Sequence, residues 1–267
     1  MAGGISPRWL LIGNSRWHWA EQDDLGLRFW GESPWRDNAG EPSSEDFHSR
    51  RELSDPAPLA WAAVGGVPPD AGLNPATRMH LEHVPLAEAP SWLGIDRALA
   101  GWEAWRQTGG PVLVVDAGTV LSLTRVDGEG RFQGGRLMAG LALQLRAMAS
   151  GTTALPVIEA SEQIGAGVVS GWPIDTRQAM ATGVTLGLAA AVTAAALEVV
   201  AEDPACQILL TGGDAPSLLD RICPRGGAAD LPLLHRPDLV MEALVGLRPS
   251  IWQSSNSGQS FMQRIPG

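Results

Sequence analysis

The run Val112–Thr124, VLVVDAGTVLSLT, holds a carboxylate, a glycine and a hydroxyl close together in Asp116-Ala117-Gly118-Thr119. The apolar residues before it read as a buried strand and D-x-G-T as a tight turn. The β-branched residues after it read as a second strand, closed by Asp127-Gly128-Glu129-Gly130. A carboxylate at the end of a buried strand is costly to desolvate unless a cation or hydrogen-bond donors meet it. Gly118 lets the backbone approach a phosphate, and Thr119 adds a hydroxyl beside its own N–H. The combination suits a metal–phosphate site, although an Asp-capped structural turn accounts for the tetrapeptide equally well.

The same plan occurs near the N-terminus. Trp9-Leu10-Leu11-Ile12 is an apolar strand, Gly13-Asn14-Ser15 a polar turn, and Trp17-His18-Trp19-Ala20 the start of a return strand. Asn14 and Ser15 can donate and accept where Gly118 and Thr119 do in the second copy. Two such hairpins about 100 residues apart predict a duplicated α/β domain, each half offering one phosphate-facing loop. Aspartic proteases carry a similar tetrapeptide, but they need an Asp in both copies and are mostly β. This chain lacks the first Asp and is helical in its second half.

The elements that must position these loops follow from periodicity. Residues 8–30 predict two or three short strands, 31–58 a loop-rich polar insertion, Leu59–Val64 a buried strand and Met79–Val84 another. Ile95–Gln107 predicts a helix with Ala98, Leu99, Trp102 and Trp105 as its apolar stripe, and Gly109-Gly110-Pro111 a domain boundary. Beyond the Asp116 hairpin come a third strand (Arg131–Met138), a helix (Leu141–Ala149), a loop (Thr152–Pro156) and a long helix (Thr176–Ala201) capped by Thr176 or Asp175. Gln207–Thr211 reads as a strand running into Gly212-Gly213-Asp214, followed by helices Ala215–Ile222 and Asp238–Leu244. This order is mixed-sheet α/β, and no G-x-G-x-x-G follows a strand.

Composition narrows the function classes. With 267 residues, 45% hydrophobic and 18% charged, the chain has room for one large domain or two ordinary ones with a substantial core. A net charge of −10 and the lack of a basic run argue against a nucleic-acid face. Anionic ligands therefore need local help from loop amides, helix N-termini, metal or a few arginines. Cys206 and Cys223 have no metal-ligand spacing and read as free thiols in a reducing cytosol. No basic segment leads into a signal-peptide core, and Arg8 interrupts the first residues, so a cytoplasmic location is expected. The uncharged run Gln178–Leu197 is long enough to cross a bilayer. Its Ala, Gly and Thr content and the Gly183/Gly187 small-residue stripe read instead as a close-packed buried helix, so no membrane is expected. The 11 tryptophans, with no tyrosine, are expected on core and strand faces.

Taken together, these motifs resemble type III pantothenate kinase, of the acetate and sugar kinase/actin-like superfamily. The resemblance runs from Trp9 to Leu247. It rests on Ile12-Gly13-Asn14-Ser15, Gly94-Ile95-Asp96-Arg97, Asp116-Ala117-Gly118-Thr119, Gly134–Leu141 (GGRLMAGL), Thr152 with Leu155-Pro156, Thr176 with Ala179 and Gly183, and Leu210–Ala215 (LTGGDA). It implies duplicated ribonuclease-H-like (actin-like ATPase) domains, with mixed sheets flanked by helices. The domains would span 7–109 (with the insertion 31–58) and 110–247, ahead of a mobile tail at 248–267. It implies transfer of the γ-phosphoryl of ATP to the primary hydroxyl of pantothenate, the first step toward coenzyme A.

By the same resemblance Asp96 is the catalytic base. Gly94, Arg97 and Thr176 contact substrate, and Asp116 stands near Mg²⁺ and a monovalent cation (K⁺ or NH₄⁺). Gly13, Asn14, Ser15, Gly118 and Thr119 form the phosphate loops, and Gly212 and Gly213 approach the nucleotide. A homodimer completes the pantothenate site. From the residues alone, Asp96 also reads as a helix-N-terminal carboxylate, Thr176 as a cap, and Gly212-Gly213-Asp214 as a turn.

One departure matters. The family's first loop begins with an Asp, and here that position is Leu11. Because phosphoryl transfer depends on positioning and electrostatics, loss of one metal-proximal carboxylate admits two expectations. Either Asp116 and the phosphates suffice for a loosely held Mg²⁺, or the chain is a catalytically weakened ligand-binding or regulatory homologue. A phosphotransferase acting on another small acid or alcohol is a third. Ala139, where the family usually has proline, is a lesser departure.

Overall fold

A computed structural model describes residues 6–32, 57–69, 71–158, 172–222 and 231–248. Most of the 31–58 insertion, Trp35, Cys223 and nearly all of the expected tail lie outside the described residues.

Alternating apolar residues build two sheets on one plan. The first has β1 (Arg8–Ile12), β2 (Trp17–Asp23), β3 (Gly26–Glu32) and β4 (Ala60–Ala63) in the order β3-β2-β1-β4. The second has β5 (Val112–Ala117), β6 (Val120–Val126), β7 (Phe132–Ala139), β8 (Gln207–Thr211) and β9 (Leu233–His235) in the order β7-β6-β5-β8-β9. Each begins with a three-stranded antiparallel meander whose first strand then pairs in parallel with a later one, β1 with β4 and β5 with β8. In that parallel register Leu11 faces Ala62 and Asp116 faces Thr211, so Leu11 and Asp116 are structural equivalents. The duplication read from the two hairpins is thus present in the topology.

The helices are α1 (Ile95–Thr108), α2 (Leu141–Gly151), α3 (Thr176–Glu202), α4 (Ala215–Ile222) and α5 (Leu239–Leu247). Period-2 alternation assigns each strand face to a core. Trp9 and Leu11 share one core with Val112 and Val114, Ala98 and Leu99 of α1, and Leu239 and Leu244 of α5. Leu10 and Ile12 turn the other way, to Trp17, Trp19 and Trp61. Leu113, Val115 and Ala117 meet α3.

The halves are tied by exchanged helices. α1 packs on β5 and β6, and α5 packs on β1, β2 and β4. Glu103 of α1, 1% exposed, receives Arg106 and Gln107, and Gln107 also donates to Glu242 of α5 at 2.8 Å. Trp9 Nε1 donates to the Arg248 carbonyl at 2.6 Å, fixing the end of α5 to β1. A buried carboxylate satisfied this fully anchors the helix pair between the sheets.

Four sequence expectations change. Met79–Val84 is not a strand: the Met79 N–H makes one ladder-like bond to the Trp61 carbonyl. The chain then turns through Leu81–His83, held by a His80 N–H to His83 Nδ1 bond ahead of Pro85. β9 went unread because its 3 residues are too short to show alternation. α3 is buried on one face only. Val184, Leu188, Val192 and Val199 are in the core, whereas Gly183, Leu186 and Gly187 are exposed, so the small-residue stripe does not pack within the chain. Among the tryptophans, Trp92 and Trp172 are exposed rather than on core faces.

Candidate active site

β1 runs into Gly13, whose N–H donates to the Arg16 carbonyl at 2.9 Å. A Cβ at Gly13 would lie 2.7 Å from that carbonyl oxygen, so only glycine closes this turn and leaves Asn14 and Ser15 exposed at its tip. β5 carries Asp116 one residue before its end, half-buried, with Gly118 and Thr119 in the turn beyond. Ser15 and Thr119 share a hydroxyl–hydroxyl hydrogen bond of 2.7 Å, which joins the two loops across the halves.

β8 delivers the third loop. Gly212 has φ +91°, and a Cβ there would stand 2.5 Å from Asp116 Oδ1 and from the Ala117 carbonyl. The next turn is held by the Asp214 N–H donating to the Ala117 carbonyl at 2.9 Å. Gly212 therefore lays backbone against the Asp116 carboxylate, and no side chain intervenes.

α1 brings the second carboxylate. Its N-terminus follows a loop tethered to β7 through Ala87, which bonds Gly130 and Phe132, and Gly94 then opens the helix. Asp96 Oδ1 accepts the Arg97 N–H at 2.8 Å, and a Cβ on Gly94 would come within 2.6 Å of the same oxygen. Burial pushes the Asp96 carboxyl above its ordinary range, opposed by that N–H and by the Arg97 charge. Asp116 is pushed up to about 7, first by burial and then by the charge of Asp96. The two carboxylates thus occupy one water-poor mouth, the arrangement in which acid–base and metal-binding groups are found.

Arg97 turns inward and is 8% exposed. Its Nε donates to Thr124 Oγ1 at 3.1 Å, and its guanidinium lies 5.9 Å over the Phe132 ring, against which Trp92 stands edge-on. Gly135 of β7 leaves the space its Nη2 occupies. Asp175 takes the cap by accepting the Gln178 N–H at 3.0 Å, which leaves Thr176 exposed on a groove of about 340 Å³ with Met148, Leu155, Ile174 and Met180. No hydrogen bond or ion pair among the described residues joins it to Asp96 or Asp116.

Three residues of the site carry no signal in the sequence. Arg16 reaches across from the first half to Gly213 and Asp214. Thr124 and Phe132 together set the place of Arg97. A lone charge on a polar turn gives no periodic signal, and neither does the inward face of one strand position.

Among the described residues no cluster of three or more Asp, Glu, His or Cys side chains is arranged for a metal ion. A divalent cation here is limited to the aspartates at the mouth and the oxygens of its own ligand, which suits Mg²⁺ at a phosphate. The three glycine loops leave room for backbone contact with phosphate oxygens. α3 passes the length and composition test for a membrane span, yet its apolar face is the core of the second half.

A family model for type III pantothenate kinase matches residues 73–198. The chain is 36% identical over 258 residues to the type III pantothenate kinase of Synechococcus elongatus, covering 88% of this chain and 96% of that one. It is 34% identical over 249 residues to that of Synechococcus sp. strain JA-3-3Ab, covering 91% and 93%. It is 36% identical over 208 residues to that of Thermosynechococcus vestitus, covering 78% and 77%.

Proposed function

Since the chain belongs to the type III pantothenate kinase family, we infer that the mouth between its two sheets is where ATP and pantothenate meet. The protein is an ATP-dependent pantothenate kinase. The observation that supports this seat for the reaction is the convergence of Asp96 and Asp116 beside three glycine loops, two of them linked by Ser15 and Thr119.

The chemistry needs few protein parts. Ionised Asp96 accepts the proton of the primary hydroxyl as its oxygen bonds the γ-phosphorus, and the bridge to ADP breaks. The Arg97 Nη groups, which make no hydrogen bond among the described residues, take the pantothenate carboxylate, while Nε stays on Thr124. On the turn that Gly13 closes with its own N–H, the amides of Asn14 and Ser15, with those of Gly118 and Thr119, receive phosphate oxygens, and Gly212-Gly213 receives the nucleotide. Asp116 is the residue that would hold Mg²⁺ and would serve a monovalent cation, K⁺ or NH₄⁺. When bound, Mg²⁺ neutralises charge developing on the phosphoryl oxygens.

A soluble, cytoplasmic homodimer completes this reading. Trp172, Ile174, Val157 and Leu186 are exposed apolar residues on and beside the start of α3. A second copy covering them would also close the groove that Thr176 lines, bringing Thr176 to substrate.

The test is coupled ADP release with pantothenate, ATP, Mg²⁺ and K⁺. The expected result is pantothenate-dependent turnover lost in Asp96→Asn and Asp116→Asn, from a protein that sizes as a dimer. Turnover that ignores pantothenate, or survives both variants, would overturn the assignment of the site.

A further inference from the structure

Arg16 is the unexplained charge at this site. It stands on the tight turn that Gly13 closes, so its backbone position is fixed although its side chain is exposed. Its Nη1 lies 3.6 Å from the point a Gly213 Cβ would occupy, on the loop supplied by the other half. The neighbouring charge that acts on Asp214 is Arg16, yet no carboxylate among the described residues comes within ion-pair distance of the guanidinium. Burial, and after it the Arg16 charge, holds the His18 imidazole's pKa down. A guanidinium suspended over a glycine loop, near an acid but not consumed by it, is placed for a ligand.

Charge accounting says which ligand. The chain is net −10, and the mouth holds Asp96 and Asp116 with Asp214 beside it. A polyphosphate entering there needs a cation, and Arg97 is already turned to Thr124 and Phe132. Leu11 removes one carboxylate that could have recruited metal to the first loop. The same turn instead carries a permanent positive charge with planar donors matched to phosphate oxygens.

We propose that Arg16 binds the terminal phosphates of the nucleotide across the two halves, supplying directly the positive charge that a carboxylate-held metal would bring to the first loop. This rests on the kinase reading above. It makes Arg16 selective for the β- and γ-phosphates rather than for adenosine.

The experiment is calorimetric titration of the full chain and of Arg16→Ala and Arg16→Lys with ATP and AMP, with Mg²⁺ present. Arg16 is exposed, so the variants are expected to melt with wild type. Loss of charge-assisted hydrogen bonds predicts ATP binding weaker by about 10–100-fold in Arg16→Ala, AMP binding unchanged, and partial recovery in Arg16→Lys. The KM for pantothenate should not move. Equal weakening of ATP and AMP, or no weakening, overturns the proposal and leaves the kinase reading intact. A wild-type chain that binds no ATP overturns both.

Discussion

Replacing Asp116 with Asn should make the ligand-free protein more stable at pH 8 while abolishing turnover. The Asp116 pKa rises from 3.8 to about 7, so the fold prefers the neutral acid. Below pH 3.8 the group is protonated whether the chain is folded or not, and it costs nothing. Above that the unfolded chain releases its proton and the native chain keeps it. Stability therefore falls with rising pH until the native group ionises near 7. At about 1.4 kcal/mol per pKa unit, the full penalty is about 4 kcal/mol above neutrality, and less than half of it has developed by pH 5.

Asparagine keeps the volume and removes the charge, though its amide hydrogens lack a built partner beside Gly212. The retained gain is then about 2–3 kcal/mol, or roughly 5–10 °C in Tm at pH 8 for a chain of this size. Thermal melts of both proteins at pH 5 and pH 8, without and with Mg²⁺ and ATP, test this. The advantage should shrink at pH 5. It should shrink again with ligand, because only the carboxylate gains from a cation. Asp96→Asn, which removes the second cause of the shift, should reduce the benefit of Asp116→Asn added to it. An Asp116→Asn protein that melts at or below wild type at pH 8, or whose advantage is the same at both pH values, refutes the account.

Three further substitutions probe what surrounds the carboxylates. Gly135→Ala would drive a Cβ into the Leu123 carbonyl and Arg97 Nη2. It should cost about 1–3 kcal/mol and raise the KM for pantothenate with little change for ATP. Gly134→Ala meets no atom within 4 Å and should show only the strain of its φ of +106° in denaturant melts, about 1 kcal/mol, with the pantothenate KM unmoved. Leu11→Asp removes a buried side chain that is 6% exposed and places a third carboxylate in the mouth. It should destabilise by about 3–5 kcal/mol in denaturant melts without raising kcat. A large gain in kcat would mean that the natural chain is catalytically weakened.

Much of this was legible because it is periodic or local. Leu10 and Ile12 against Trp9 and Leu11, and Leu113 and Val115 against Val112 and Val114, alternate as strands buried on both faces must, and the two D-x-G-T-like turns follow them at matching offsets. Thr176 reads either as a cap or as a substrate contact, and only the Asp175–Gln178 bond decides that the cap lies elsewhere. What stayed hidden depends on contacts distant in sequence. Arg97 and Thr124 meet because α1 packs on the second sheet, an exchange that no pattern within α1 announces. Arg16 meets Gly213 through the same closure of the halves. The exposed side of α3 was misread because Ala and Gly pack equally well inside a chain or against a second copy.

The duplicated halves share a backbone but not a charge, and the electrostatics of the mouth give a reason. Leu11 and Asp116 occupy equivalent strand positions, and Leu11 packs in the core that Val112 and Val114 of β5 also enter. Asp96 already raises the pKa of Asp116, so each buried carboxylate there makes the next harder to ionise. A third at position 11 would load the ligand-free fold with repulsion that only a bound cation could relieve. Leucine removes that cost and fills the core between the sheets, and the first loop then has no anion of its own with which to hold metal. Neutralising the terminal phosphates must fall to the metal carried by the nucleotide, to the loop amides and to a cation on the same turn. If Leu11 and Arg16 act together in this way, placing Asp at position 11 will lessen the dependence of ATP binding on Arg16, a coupling that a double-mutant cycle reads directly.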